Sequence, residues 1–357
     1  MTEPTDHEDT HAAPNGVSDA RIATLPKVEL HVHLEGTIAA RTAADLATAR
    51  GDDPADVLVL DPDRTDGPHY PHPFRDFLHF VDTFLASSAQ VREPADLHTV
   101  TAAFAAGQAR QGVRWSETTF TAVTMEQRGW SPAAMWAALI DGIAAEPGTS
   151  VGFILDTPRD LGPEVARRSV ELARDAIASG VPVVALGLTG VEGSVPASAF
   201  TLLRDAADEL GIGLVVHAGE TGTPQDVRDA LDVLRSDRIG HGIAAAADPA
   251  LLARIAEDGT VLEVCPSSNV TLGIVASLEA HPIRTLRDAG VAITVNSDDP
   301  PFFATTLTDE LRHAVRLLDL DEARLAALQR RAIDASFAPA ELRAEVHAAI
   351  DAWLRAG

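Results

Sequence analysis

Along 28–35 apolar and polar positions alternate: Val28, Leu30, Val32 and Leu34 against Glu29, His31, His33 and Glu35. A period of two predicts a strand that carries His31 and His33 on one side. Residues 37–112 lack such alternation. There Phe74, Phe77, Leu78, Val81, Phe84 and Leu85 recur at helical spacing and predict a helix over 74–87, with others over 39–50 and 94–111 and a Pro- and Asp-rich loop over 52–73. From 113 onward short apolar runs alternate with amphipathic stretches. The runs lie at 113–120, 150–155, 181–188, 213–217, 238–240, 260–264 and 291–296; the helices between them span 131–145, 163–179, 197–210, 224–234, 249–258 and 281–289. Pro132, Pro163, Pro224 and Pro249 mark helix starts, and Gly180, Gly211 and Gly290 follow helix ends. Strands joined by helices run parallel. With the first strand there are eight, which predicts an α/β fold, a (β/α)8 TIM barrel, with a helical insertion after strand one and extra C-terminal helices over 307–354. An insertion as long as 37–112 is a candidate lid.

Composition narrows the class. A chain of 357 residues, 46% of them hydrophobic, can bury one large barrel core, so 21–357 reads as a single domain. Residues 1–20 are polar and acidic and read as a disordered tail in which His7 and His11 are solvated. A net charge of -25 would repel nucleic acid and anionic membranes, leaving a small molecule as the expected partner. The single cysteine, Cys265, excludes an internal disulfide and a thiolate metal cage. No membrane-spanning run and no signal-type N-terminus is found, and the expected location is cytoplasmic.

Barrel chemistry collects where strands end. His31 and His33 finish strand one, strand four runs into Thr189-Gly190, and strand five ends at His217-Ala218-Gly219-Glu220. Strand six ends at His241, strand seven runs into Cys265-Pro266-Ser267-Ser268-Asn269, and strand eight into Ser297-Asp298-Asp299. His31 and His33 alone could be a surface pair. Together with His217 and Asp298 they make a shell for one zinc or similar ion, which would lower the pKa of a bound water towards about 7. Glu220 is placed to shuttle a proton, the alternative being a charge at a helix start; His241 could take the water's proton or hold the resulting hydroxide. Asp298 and Asp299 are adjacent and face different ways, so one can bind metal and the other substrate.

These strand ends, with Leu25 to Gly36 and Arg238 to Gly242, resemble the adenosine deaminase branch of the amidohydrolase superfamily, in the family's order. The resemblance implies a (β/α)8 barrel, one Zn2+ per chain, and hydrolytic loss of a purine 6-amino group. Two-metal barrel hydrolases use a bridging lysine, and the only lysine here, Lys27, precedes strand one. By the same resemblance His31, His33, His217 and Asp298 bind the metal, Glu220 protonates ring N1, and His241 orients and deprotonates the water. Asp299 would hold N7, the Gly190 backbone would contact N3, and Glu35 would stand where the ribose 5′-hydroxyl is met. Adenosine-specific members usually carry Asp at that position, and Glu35 is more like adenine and some aminodeoxyfutalosine deaminases. The stretches 117–120 and 299–310 look like nucleoside-acting members. The expected reaction is therefore adenosine or deoxyadenosine to inosine plus ammonia. Adenine or aminodeoxyfutalosine is the alternative substrate, and ester or phosphoester hydrolysis the alternative chemistry.

Overall fold

The structure is a computed structural model that describes residues 17–356. Eight strands follow one another in parallel: β1 Lys27–His33, β2 Val113–Phe120, β3 Ser150–Pro158, β4 Val183–Thr189, β5 Gly213–Ala218, β6 Arg238–His241, β7 Val261–Val264 and β8 Ala292–Val295. Backbone contacts from the end of β8 to β1 bring the sheet round: His33 N–H donates to Asp298 O at 3.1 Å, and Asp298 N–H to His31 O at 3.1 Å. Helices Pro132–Ala144, Pro163–Ala178, Thr201–Leu210, Pro224–Asp232, Pro249–Asp258 and Ile283–Asp288 connect the strands as the prolines and glycines predict. Gly211, at φ 67°, ends one of them in the left-handed conformation that its missing Cβ allows. Strands covered by helices outside and side chains inside are buried on both faces; β5 is buried at every position.

Helices Leu307–Leu318, Glu322–Ala335 and Ala340–Arg355 form the C-terminal part. They are tied to the start of the chain by Arg21, whose Nε and Nη2 pair with Glu322 at 2.6 and 2.7 Å. Helix Asp19–Thr24 and the buried Val17 belong to the fold, so the last residues of the expected tail are ordered; the rest of that tail, with His7 and His11, lies outside the described residues. Lys27 opens β1 and gives its ammonium to the carbonyls of Ala23, Leu25 and Gln111 at 2.7–3.1 Å, a structural role away from the ligand-bearing strand ends.

The alternation in β1 is interrupted. Glu29 pairs with Ser116 and Val32 with Thr118, three steps against two, which marks a bulge. Glu29 therefore leaves the histidine side: its carboxylate meets Gln108 of the outer helix Pro94–Arg110 and accepts from Ser297 N and Oγ at 3.0 and 2.6 Å. His31 instead reaches Glu263 of β7 across the barrel.

The insertion holds helices Ala40–Ala49, Pro54–Val57, Phe77–Ser88 and Pro94–Arg110. Phe77, Phe80, Val81, Phe84 and Leu85, one stripe of their helix, line a cavity, and Phe77, Phe80 and Phe84 also pack against a small buried cluster outside the main core. Phe74 precedes this helix and belongs to that cluster with Tyr70 and Phe302. Leu78, expected on the apolar face, is 70% exposed. Among the described residues no helix is long and apolar enough to cross a membrane.

Candidate active site

The strand ends converge. The ligand atoms of His31, His33 and His217 lie within 4.8 Å of one another. His33 Nε2 and His217 Nε2 are 3.3 Å apart, and Asp298 Oδ1 is 3.3 Å from His33 Nε2 and 3.5 Å from His31 Nε2. Gly240 makes this approach possible, because a Cβ there would come within 2.8 Å of His31 and 3.2 Å of His217. Asp298 and His241 both hold positive φ, 64° and 59°, an uncommon backbone for residues other than glycine and one that clusters at functional sites.

The donors fit a divalent cation. His31 Nδ1 is 2.9 Å from Glu263 Oε2, which turns Nε2 into the cluster, where it is buried and has no hydrogen-bond partner. Burial opposes a charge on His31, yet Asp298 and Glu263 push its pKa up to about 10. The pocket thus draws positive charge to a point that a metal would occupy in place of a proton. Cys265 also lies near His31, His241 and Asp298, but burial and the surrounding carboxylates push its thiol well above its ordinary pKa, and it donates to Glu263 O at 3.6 Å. His31, His33, His217 and Asp298 are the better set.

Glu220 stands beside this cluster, its Oε2 3.7 Å from His241 Nε2. Burial, then Asp298 and Glu192, raise its pKa well above the carboxylate range. Asp299 is raised likewise, by burial and by Asp298. Glu35 is pushed up to about 7 by burial and by Asp156, while accepting Thr121 N–H at 3.0 Å. Burial lowers His241 to about 3. His33, Glu35, Gly190, His217, Glu220, His241, Asp298 and Asp299 all line one cavity of about 380 Å3.

Several residues were not anticipated. Glu263 orients His31 and is itself held by Arg238 at 2.5 Å, which also pairs with Glu117; all three are buried. Its signal was present, a lone acid in the apolar run 260–264. Asp156, two residues before the end of β3, lines the cavity and accepts from Thr189; it directly follows the apolar run 150–155, so the strand-end criterion would have found it. Glu192 accepts the backbone N–H groups of Gly219, Glu220 and Gly222 at 2.9, 3.0 and 2.7 Å, and nothing in its loop sequence announces this. Arg159 holds Thr189 O at 3.2 Å and also His217 O.

A parallel eight-stranded barrel with this cluster at its strand ends defines a metal-dependent hydrolase of the amidohydrolase class. Residues 26–353 match the family described as adenosine deaminase, and the chain belongs to that family. It is 40% identical to an aminodeoxyfutalosine deaminase of Streptomyces avermitilis over 99% of both chains. It is 33% identical to an adenine deaminase of Rhodospirillum rubrum, over 94% of this chain and 99% of that one. Among solved structures, the adenine deaminase from Arthrobacter aurescens superposes with a TM-score of 0.82 at 28% identity, covering 93% of this chain and 99% of that one. Membership sets the chain among enzymes that act on aminopurines, not among the ester hydrolases also expected of such a barrel.

Proposed function

We propose that the protein hydrolytically removes the 6-amino group of a purine nucleoside, with aminodeoxyfutalosine ahead of adenosine as substrate. The observation that carries this reading is the single cavity joining Glu220 and Asp298 to the apolar stripe of the Phe77–Ser88 helix. Its volume, about 380 Å3, exceeds what an aminopurine base fills and provides an apolar wall for a substituent that adenosine lacks. The 40% identity to aminodeoxyfutalosine deaminases supports the same order.

Arg128, which caps the short helix Ala122–Gln127, is the only Arg or Lys among the described cavity-lining residues. It donates to Ser88 O at 3.1 Å, and its neighbour Glu126 is occupied by Arg168 at 2.5 and 2.7 Å. Arg128 can therefore meet one anionic group on the substituent. A phosphate dianion is a poorer match, since Glu35, Asp156, Asp160, Glu220, Asp298 and Asp299 line the same space.

His31, His33, His217 and Asp298 would hold Zn2+, which would polarise the attacking water and lower its pKa. Glu220 delivers a proton to ring N1 as C6 becomes tetrahedral, neutralising charge that develops in the transition state. Asp299, whose carboxyl burial and Asp298 push towards its protonated form, would donate to N7. The Gly190 backbone faces N3, Glu35 and Asp156 receive sugar hydroxyls, and His241 hydrogen-bonds the attacking water.

Free adenine is the second reading, favoured by Glu35 and by relatives named adenine deaminase at 33–35% identity. Steady-state kcat/KM on aminodeoxyfutalosine, adenosine and adenine, with zinc-loaded enzyme, separates them. Arg128→Gln should cost the first substrate about tenfold more than it costs adenosine, the scale of one charge-assisted hydrogen bond. Preference for adenine selects the second reading. If all three substrates remain intact, the protein is not a deaminase of this kind.

A further inference from the structure

We propose that the floor of the barrel sets the metal site at its other end: the linker after the helix Glu322–Ala335 positions Arg238, which through Glu263 holds His31. Phe337, Arg238 and Glu117 are thereby positioning residues for the metal. The proposal rests on the reading of His31 as a ligand.

The floor is built around one ring. Phe337 packs against Ile154, Ala185 and Val215, an apolar cluster formed by β3, β4 and β5. Gly213, the first residue of β5, leaves room for it, since a Cβ there would come within 2.0 Å of the ring. The linker is braced by its own hydrogen bonds: Ser336 Oγ donates to Ile333 O at 2.7 Å and accepts from Ala338 N–H at 3.2 Å. Ring and linker thus have a defined place at the starts of the strands.

Arg238, the first residue of β6, is buried, and all three nitrogens and one face of its guanidinium are engaged. Its Cζ lies 4.3 Å from the centroid of the Phe337 ring, and Nη1 donates to Ala335 O at 3.0 Å. Nη2 pairs with Glu117, whose other oxygen accepts the N–H of Phe337 at 2.6 Å and Trp115 Nε1 at 2.9 Å. Three of the groups that hold the guanidinium are therefore supplied or fixed by the last turn of the helix and its linker. The remaining nitrogen, Nε, meets Glu263 Oε1 at 2.5 Å, and Glu263 Oε2 is 2.9 Å from His31 Nδ1.

Charge makes this series stiff. Glu117 and Glu263 are both 0% exposed, so Arg238 is one cation shared by two carboxylates where water cannot replace a lost partner. Displacing the guanidinium leaves Glu263 uncompensated and free to turn from His31, which then loses the group that aims its Nε2. Arg238 opens the Arg238-Ile239-Gly240-His241-Gly242 stretch, yet its side chain does not line the substrate cavity, and support of the metal ligand from behind gives it a role.

The test is the zinc affinity of the full chain, by competition with a chromophoric chelator. Phe337→Ala and Glu117→Gln should each weaken zinc binding by about tenfold, the lower end of what losing the support of a ligating histidine costs. Phe337→Leu fills the floor without offering a ring face and should weaken it by about threefold, the scale of one cation–ring contact, which keeps a readout if the alanine variant does not fold. Phe200→Leu trims a fully buried side chain outside the series; it should lower the unfolding midpoint and leave zinc affinity unchanged. Wild-type affinity in Glu117→Gln and in every folded Phe337 variant overturns the proposal, as does an equal loss in Phe200→Leu. Affinity is read without substrate, so the outcome does not depend on the deaminase reading; a wild-type protein that binds no zinc overturns the metal reading itself, and this proposal with it.

Discussion

The carboxylate of Glu192 accepts the backbone N–H of Glu220 at 3.0 Å, and with it those of Gly219 and Gly222. One side chain from the loop after β4 thus shapes the turn that presents Glu220, the proposed catalytic acid, at the end of β5. Glu192 also lies two residues beyond Gly190, so one side chain anchors two segments that line the same cavity.

Removing that anchor should show in turnover. Glu192→Ala is expected to lower kcat by about 10²-fold, the cost of misplacing a catalytic group by about an ångström, with a smaller change in KM. Steady-state kinetics on the preferred substrate checks this. A change confined to KM would mean that Glu192 serves binding and not the acid.

Glu263 sets the direction of His31. Its Oε2 is 2.9 Å from His31 Nδ1, and its Oε1 is 2.5 Å from Arg238. Glu263→Gln should weaken zinc binding by about 10–100-fold, as is usual when the carboxylate behind a ligating histidine is lost. Competition with a chromophoric chelator measures it. Unchanged affinity would reduce Glu263 to a partner of Arg238.

Glu310 gives stability a pH dependence away from the metal cluster. Burial raises its pKa from 4.5 to about 7, against the Ser267 N–H and Thr305 hydroxyl that it accepts at 3.2 and 2.5 Å. Below pH 4.5 the carboxyl is protonated in both folded and unfolded chains. Between about 4.5 and 7 the unfolded chain ionises first, so the folded state loses stability as pH rises, by roughly 3 kcal/mol in all. Glu310→Gln, which keeps the shape and an acceptor, should remove that slope. Denaturant unfolding of the zinc-loaded proteins at pH 5 and pH 7.5 is the measurement; equal slopes for both proteins would contradict it.

The order of eight strands and the convergence of the candidate residues at their ends were legible because both follow from local pattern joined to one fold rule. The two-residue period brings His31 and His33 to one side, and His217 ends, and Asp298 follows, a short apolar run set between helical stretches. The same period misplaced Glu29, because the bulge before Val32 depends on pairing with β2 and not on β1 itself. Asp156 and Glu192 acquire their surroundings only from partners elsewhere in the chain: Thr189 and Glu35, and the turn at Glu220. Sequence periodicity reports which face a residue takes. Which carboxyls are pushed towards their protonated form depends on burial and on charges brought close by folding, and so only the tertiary structure decided it.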